Sequence, residues 1–397
     1  MKDQVKQWMK RTGLIERSLR TIMKVFTWLP QKSNRVLFES FLGKQYSDSP
    51  RAIYELMRTM HPECELIFSK QRGVKFPSDV KTVDRLTFRW IYLLATSRVW
   101  VSNSRLPGWL IKPKKTYYLQ TWHGTPLKKL ALDMDDVQMA NTTTERYKQG
   151  FKQETAKWSG LISPNAYSSS IFRRAFAFEG EMLEIGYPRN DIFYQEARHA
   201  KIKETVYRHY EIDSSKKVLL YAPTWRDNAF EGQGKYSFEL PFSLKEFEKR
   251  FGDEYVLLVR MHYLVGSRLD VTAYPSVRNA SDYPDIAELY MASDALITDY
   301  SSVMFDFAHL SRPILFYTYD LEHYRDQLRG FYFDFEQEAP GPLLSTETAL
   351  FEELNQLDDW HTRYASAFRA FQETYCQWDD GQASERAMKT IVKRIYG

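Results

Sequence analysis

The chain has 397 residues, 43% hydrophobic and 15% aromatic, which excludes a disordered or fibrous protein and suits two or three domains with large cores. Two cysteines, Cys64 and Cys376, exclude a disulfide framework, show no metal-ligand spacing and fit a cytosolic protein. Net charge is +4, yet residues 1–35 hold nine Lys and Arg against Asp3 and Glu16, so a basic tail precedes a slightly acidic body and nucleic acid is not an expected partner.

In that tail, residues 1–33, Val5, Trp8, Met9, Ile15, Leu19, Ile22, Met23 and Phe26 recur at helical spacing, interrupted at Gly13. Lys6, Lys10, Arg11, Arg17, Arg20 and Lys24 occupy the other faces. Two readings fit: a helix lying in the interface of an anionic membrane, or one docked on the protein's own core or on a second subunit. No cleavage site follows it, and no run reaches the roughly 18 apolar residues of a membrane span.

From residue 34 to about 205, short apolar runs ("VLFES", "ELIFS", "RVWVSN", "TYYLQTW", "GLISP", "MLEIG") alternate with helical runs, which predicts a doubly wound parallel sheet. One such helix is "SPRAIYELMRTM", with Ser49 as cap and Pro50 in its first turn. The run "YYLQTWHGTPLKKL", residues 117–130, predicts a strand leading to His123 and then a helix opened by Thr125 and Pro126. After a polar helical link the pattern repeats over residues 206–375 with "KVLLYAPTW", "YVLLVRMH", "SVRNAS", "DALITD" and "PILFY". Residues 376–397 read as a helix that crosses back to brace the first domain.

Ligands of open α/β sheets bind beyond the carboxyl ends of the strands. Of eight histidines, only His123 and His262 directly follow strand runs, one per domain, where they can face each other across a cleft; each alone also fits a hydrogen-bonded loop residue. Gly124 permits close backbone approach beside His123, and Thr125 suits a cap. A neutral imidazole at His123 can take a proton from an attacking hydroxyl, whereas His262, beside Arg260, can donate to a phosphate. "SDALITDYSSVMFDF" predicts a strand ending at Thr298 and Asp299, followed by a helix beginning at Ser301 and Ser302, an anion site or an ordinary serine cap. Asp282 and Asp285 precede another helix, as nucleoside ligands or as caps. Thr224, Arg226 and Asp227 follow the first strand of the second domain, where Arg226 clamps a phosphate or simply pairs with Asp227. No metal cluster, P-loop or GxGxxG motif is present, so the expected site needs no metal or other cofactor and holds its anion with helix-terminal amides and side-chain donors.

Nine stretches, among them "ESFLGKQYSDSPRAIYELM", "YLQTWHGTPLKKL", "GYPRNDIF", "YAPTWRD", "LLVRMHYLV" and "SDYPDIAELYMASDALITDYSSVMFDF", resemble in order the CDP-glycerol glycerophosphotransferases that build wall teichoic acid in Gram-positive bacteria. The resemblance covers about residues 34–390. It implies a GT-B fold, two Rossmann-like domains facing a central cleft, with CDP-glycerol on the second domain and a lipid-linked acceptor approaching the first. It implies essential roles for His123 and His262, and a donor diphosphate near Thr298, Asp299, Ser301 and Ser302 with Asp282 close by. The implied reaction moves glycerol phosphate from CDP-glycerol to a hydroxyl on an undecaprenyl-diphosphate-linked acceptor and releases CMP, at the inner face of the cell membrane. Polymerising members usually carry an additional domain before the catalytic unit, so an early-step transferase is expected. CDP-ribitol as donor, a nucleotide-sugar glycosyltransferase and a non-catalytic membrane scaffold are the competing readings.

Overall fold

The computed structural model describes residues 14–137, 142–224, 240–261, 269–324 and 330–397. Arg226, Asp227 and His262 lie outside the described residues, as do the first thirteen residues of the expected tail helix.

The chain divides into two compact units. Unit 1 runs to His123, resumes over Ala131–Asp191 and closes with Gln382–Gly397; unit 2 comprises Gly124–Leu130 and Ile192–Gly381. The boundary expected near residue 205 falls inside a helix, Glu196–His209, that belongs wholly to unit 2.

Unit 1 holds a seven-stranded sheet of β1 (Lys32–Glu39), β2 (Glu65–Lys70), β3 (Thr82–Asp84), β4 (Ser97–Ser102), β5 (Tyr117–Gln120), β6 (Gly160–Ser163) and β7 (Glu181–Glu184). All neighbours pair in parallel, in the order β3-β2-β1-β4-β5-β6-β7. The sheet of unit 2 contains β8 (Lys217–Tyr221), β9 (Tyr255–Val259), β10 (Val277–Asn279), β11 (Ala295–Thr298), β12 (Ile314–Tyr317) and β13 (Leu343–Leu344). It is also parallel, in the order β10-β9-β8-β11-β12-β13. Strands β9, β11 and β12 are largely apolar and buried along their whole length, as expected of a parallel sheet covered on both faces. In both units strand order reverses beside the first strand, between β1 and β4 and between β8 and β11. Doubly wound sheets open a crevice beyond the carboxyl ends at such a reversal.

Each unit departs locally from the predicted elements. Edge strands β3 and β13, of three and two residues, were not foreseen. The helix expected at Ser49–Pro50 begins at Asp48, with Ser47 at the cap position; Asp48 adopts φ +64° and its own Oδ1 accepts from the Ser49 amide at 2.6 Å. The helix expected after Thr125 and Pro126 does not form. Gly124–Leu130 is instead extended in unit 2, where Lys128 bridges Phe331 antiparallel and the amides of Lys129 and Tyr332 donate to the carbonyls of Gly330 and Leu127, each at 2.9 Å. Pairing with a distant segment has overridden a local cap signal.

The last helix, Ala383–Tyr396, lies in unit 1, where Ala387, Met388, Ile391 and Ile395 join Ile53 and Met57 in one buried cluster. Its first amides, on Ala383 and Ser384, donate to the buried Asp191 carboxylate at 2.9 and 2.7 Å. The basic tail contributes a helix over Leu14–Phe26 that packs on the helix Phe88–Thr96. Met23 is fully buried, Leu19, Ile22 and Phe26 are half-buried, and Phe26 meets Tyr92 edge to face at 6.1 Å. The apolar stripe of this helix is therefore used on the protein's own body, while Val25, Trp28 and Leu29 stay exposed, Trp28 by 77%. Among the described residues no helix is long and apolar enough to cross a membrane.

Candidate active site

In unit 1 the site is built at the β1/β4 reversal. Asn103, the residue after β4, is fully buried; its carbonyl oxygen lies 2.6 Å from His123 Nδ1, and its side-chain Oδ1 accepts from the Phe41 amide at 2.8 Å just after β1. A carbonyl can only accept, so Nδ1 carries the proton and Nε2 keeps its lone pair. His123 is placed by the preceding residue. Trp122 has φ +53°, a left-handed conformation costing an aromatic residue about 1–2 kcal/mol. It is held there by its amide hydrogen bond to Gln120 Oε1, at 2.9 Å, and by burial against Phe151, Trp158, Phe172 and Phe176. The imidazole stacks on the Trp122 ring, with centroids 4.4 Å apart.

Part of the His123 residue faces solvent, yet the protein packed around it lowers its pKa from the usual 6.5. Desolvation is the main cause; the Asn103 carbonyl and Asp48 oppose it, and Arg189 and Arg105 reinforce it. The imidazole is therefore neutral at pH 7. Arg189 is tied to Asp48, with Nη1 to Oδ2 at 3.0 Å and both side chains largely buried.

In unit 2 the corresponding place is the β8/β11 reversal. Thr298 and Asp299, expected to meet the donor, are buried and turned to the backbone: Thr298 Oγ1 donates to the Ala222 carbonyl and the Thr224 amide donates to Asp299 Oδ1, each at 2.7 Å. They shape the loop after β8. Ser301 and Ser302 remain half-exposed, but the helix after them, Val303–Phe307, spans five residues and Ser302 makes no side-chain cap, so its dipole adds little. Gly124 lies against Ser302; a β-carbon at Gly124 would stand 3.1 Å from Ser302 Oγ, so any side chain there crowds the serine. Thr125 is buried beside it in sequence.

Arg260, at the end of β9, donates from Nη1 to the carbonyls of Ala280 and Tyr283 at 3.0 and 2.8 Å. Burial lowers its pKa, with Tyr290, Asp285, Tyr210 and Asp282 opposing, and its role here is to staple the loop carrying Asp282. Asp285 caps the helix Ile286–Ala292 by accepting from the Ala287 amide, which leaves Asp282 as the exposed carboxylate of the loop.

Two cations beside these residues carry no strand-end signal in the sequence. Lys128 Nζ, in the extended Gly124–Leu130 segment, lies 3.4 Å from Thr224 Oγ1 and over the Tyr324 ring at 4.9 Å. Arg105 is the other. The signal for Lys128 was its place in "HGTPLKKL", four residues beyond Gly124. Among the described residues no group of three or more His, Cys, Asp or Glu is arranged to hold a metal ion.

Two parallel α/β units, each with its polar residues at the point of strand-order reversal, define the GT-B class. The chain belongs to the CDP-Glycerol:Poly(glycerophosphate) glycerophosphotransferase family, whose profile matches residues 21–393. It is 46% identical over 387 residues to the teichoic acid poly(glycerol phosphate) polymerase of Bacillus subtilis (strain 168), covering 96% of this chain and 52% of that one, so the chain spans about half the length of that relative. It is 44% identical over 384 residues to the teichoic acid glycerol-phosphate transferase of Staphylococcus aureus (strain NCTC 8325 / PS 47), covering 96% and 98% of the two chains. A solved structure of a variant of the wall teichoic acid polymerase TagF, soaked with CDPG, superposes with TM-score 0.90 at 39% identity and covers 100% of this chain and 98% of that chain.

Proposed function

We propose that this protein transfers glycerol phosphate from CDP-glycerol to a hydroxyl of an undecaprenyl-diphosphate-linked teichoic acid precursor, a primer or a short glycerol-phosphate chain, and releases CMP. The observation that carries this reading is the fixed tautomer of His123: Nδ1–H is held by the Asn103 carbonyl, which leaves Nε2 bare to take a proton. In the reaction the acceptor oxygen attacks the glycerol-side phosphorus as Nε2 takes its proton. The new oxygen–phosphorus bond replaces the bond to CMP, which leaves with the electron pair. Lys128, Thr224, Ser301 and Ser302 stabilise the diphosphate charge without a metal ion, with Asp282 toward the nucleoside. His262 and Arg226, outside the described residues, are assigned to the donor from their places after strand runs, and His262 also from the family resemblance.

The test is to incubate the protein with CDP-glycerol or CDP-ribitol and a short lipid-linked acceptor and to weigh the products. Acceptor extended by one glycerol phosphate, with an equivalent of CMP, is the expected result. Ribitol phosphate transfer, or UDP release from a UDP-sugar, overturns it.

The same reading includes attachment to the inner, anionic face of the cell membrane. Its support is the exposed apolar surface on two packed helices and their ends, Val25, Trp28 and Leu29 with Leu86, Phe88 and Tyr92, beside exposed Arg20, Lys24 and Arg89. The protein is expected to sediment with phosphatidylglycerol vesicles at low salt, and a Trp28→Ser/Phe88→Ser variant with an unchanged circular dichroism spectrum to lose at least tenfold in affinity. Equal binding by both proteins rejects this surface.

A further inference from the structure

We propose that Arg105 recognises the acceptor, by gripping the phosphodiester that precedes its terminal glycerol; this rests on the function proposed above. Arg105 stands two residues beyond Asn103, whose carbonyl holds His123, and its charge is felt at the imidazole. Its guanidinium lies over the Phe151 ring at 4.5 Å and the Tyr147 ring at 5.4 Å, while the residue remains exposed.

Among the described residues Arg105 forms no ion pair and no hydrogen bond. Glu154, a carboxylate near enough to feel its charge, accepts from the Leu106 amide at 3.1 Å through Oε1 and pairs with Lys157 at 2.8 Å through Oε2. The other arginine acting on His123, Arg189, is paired with Asp48. Arg105 is thus the cation near the base whose donors are uncommitted to any described partner.

Stacking on two rings restricts a long side chain without using any of its five N–H donors, and a planar guanidinium fork matches phosphate oxygens two at a time. An acceptor already carrying one glycerol phosphate presents such an anion a three-carbon unit away from its attacking hydroxyl. A primer ending in a neutral sugar does not. Arg105 therefore makes the protein prefer an acceptor that already ends in glycerol phosphate.

The test compares wild type, Arg105→Gln and Arg105→Lys on two lipid-linked acceptors, one ending in a glycerol phosphate and one in the neutral disaccharide. With Arg105→Gln, KM for the phosphate-bearing acceptor is expected to rise about ten- to hundredfold, the loss of a charge-assisted contact. The values of kcat and of KM for CDP-glycerol are expected to stay within about twofold, and KM for the neutral acceptor to stay unchanged. Arg105→Lys restores part of the loss by keeping the charge without the fork. An unchanged acceptor KM in Arg105→Gln, an equal rise for both acceptors, or a rise confined to CDP-glycerol overturns the assignment while leaving the transfer reaction standing. If wild type makes no product from CDP-glycerol with either acceptor, the functional reading fails and this one fails with it.

Discussion

Replacing His123 with alanine is expected to lower kcat about a thousandfold, some 4 kcal/mol of barrier, with the dissociation constant for CDP-glycerol changed less than twofold. The asymmetry follows from the proposed roles: the imidazole takes the acceptor proton, whereas the proposed donor ligands lie in unit 2. Isothermal titration with the donor and single-turnover kinetics measure the two quantities separately. The pH profile follows from the same residue. Because its pKa in the folded protein is lowered from 6.5, the neutral form predominates at pH 7, and the acid limb of kcat/KM is expected to fall below pH 6.5. Activity is lost as pH drops through the folded pKa, since protonated His123 has no lone pair to accept with. An alanine variant with near-full turnover and normal donor affinity would falsify the assignment of His123 as base.

The second large effect is on stability. Asp191→Ala removes a buried carboxylate that receives both leading amides of the helix Ala383–Tyr396. Two charge-assisted bonds are lost and two amides are left without them, so unit 1 is expected to lose about 3 kcal/mol. Urea denaturation followed by circular dichroism reads the change, and Asp191→Asn, which keeps one acceptor oxygen, should recover part of it. A midpoint shifted equally by both substitutions places the effect elsewhere than in capping.

The two sheets were legible because their central strands are almost uninterrupted apolar runs, such as "YVLLV" and "DALIT", bounded by polar loops and separated by helical periodicity. Strands β3 and β13 were not, since two or three residues carry no readable alternation and exist only through pairing with a neighbour. Position after a strand marks the carboxyl ends of the two sheets, but not which side chains face outward there. Thr298 and Asp299 look as exposed in sequence as Ser301 and Ser302, yet their oxygens bind the loop after β8. The Thr125–Pro126 pair carries an ordinary helix-opening signal, and only Phe331, some two hundred residues later, decides for an extended segment. Likewise, nothing local distinguishes Arg260 as a loop staple or Arg105 as a stacked cation. Both depend on carbonyls and rings supplied from elsewhere in the chain.

The helix that starts at Ala383 has a bearing on biosynthesis. Unit 1 cannot close its hydrophobic layer when residue 191 has left the ribosome, because the face that receives Ile391 and Ile395 stays bare until residues 192–395 have also been translated. At about 10 residues per second that interval is roughly 20 s. During that interval the nascent chain exposes an apolar surface around Ile53 and Met57, a natural point of engagement for a cotranslational chaperone.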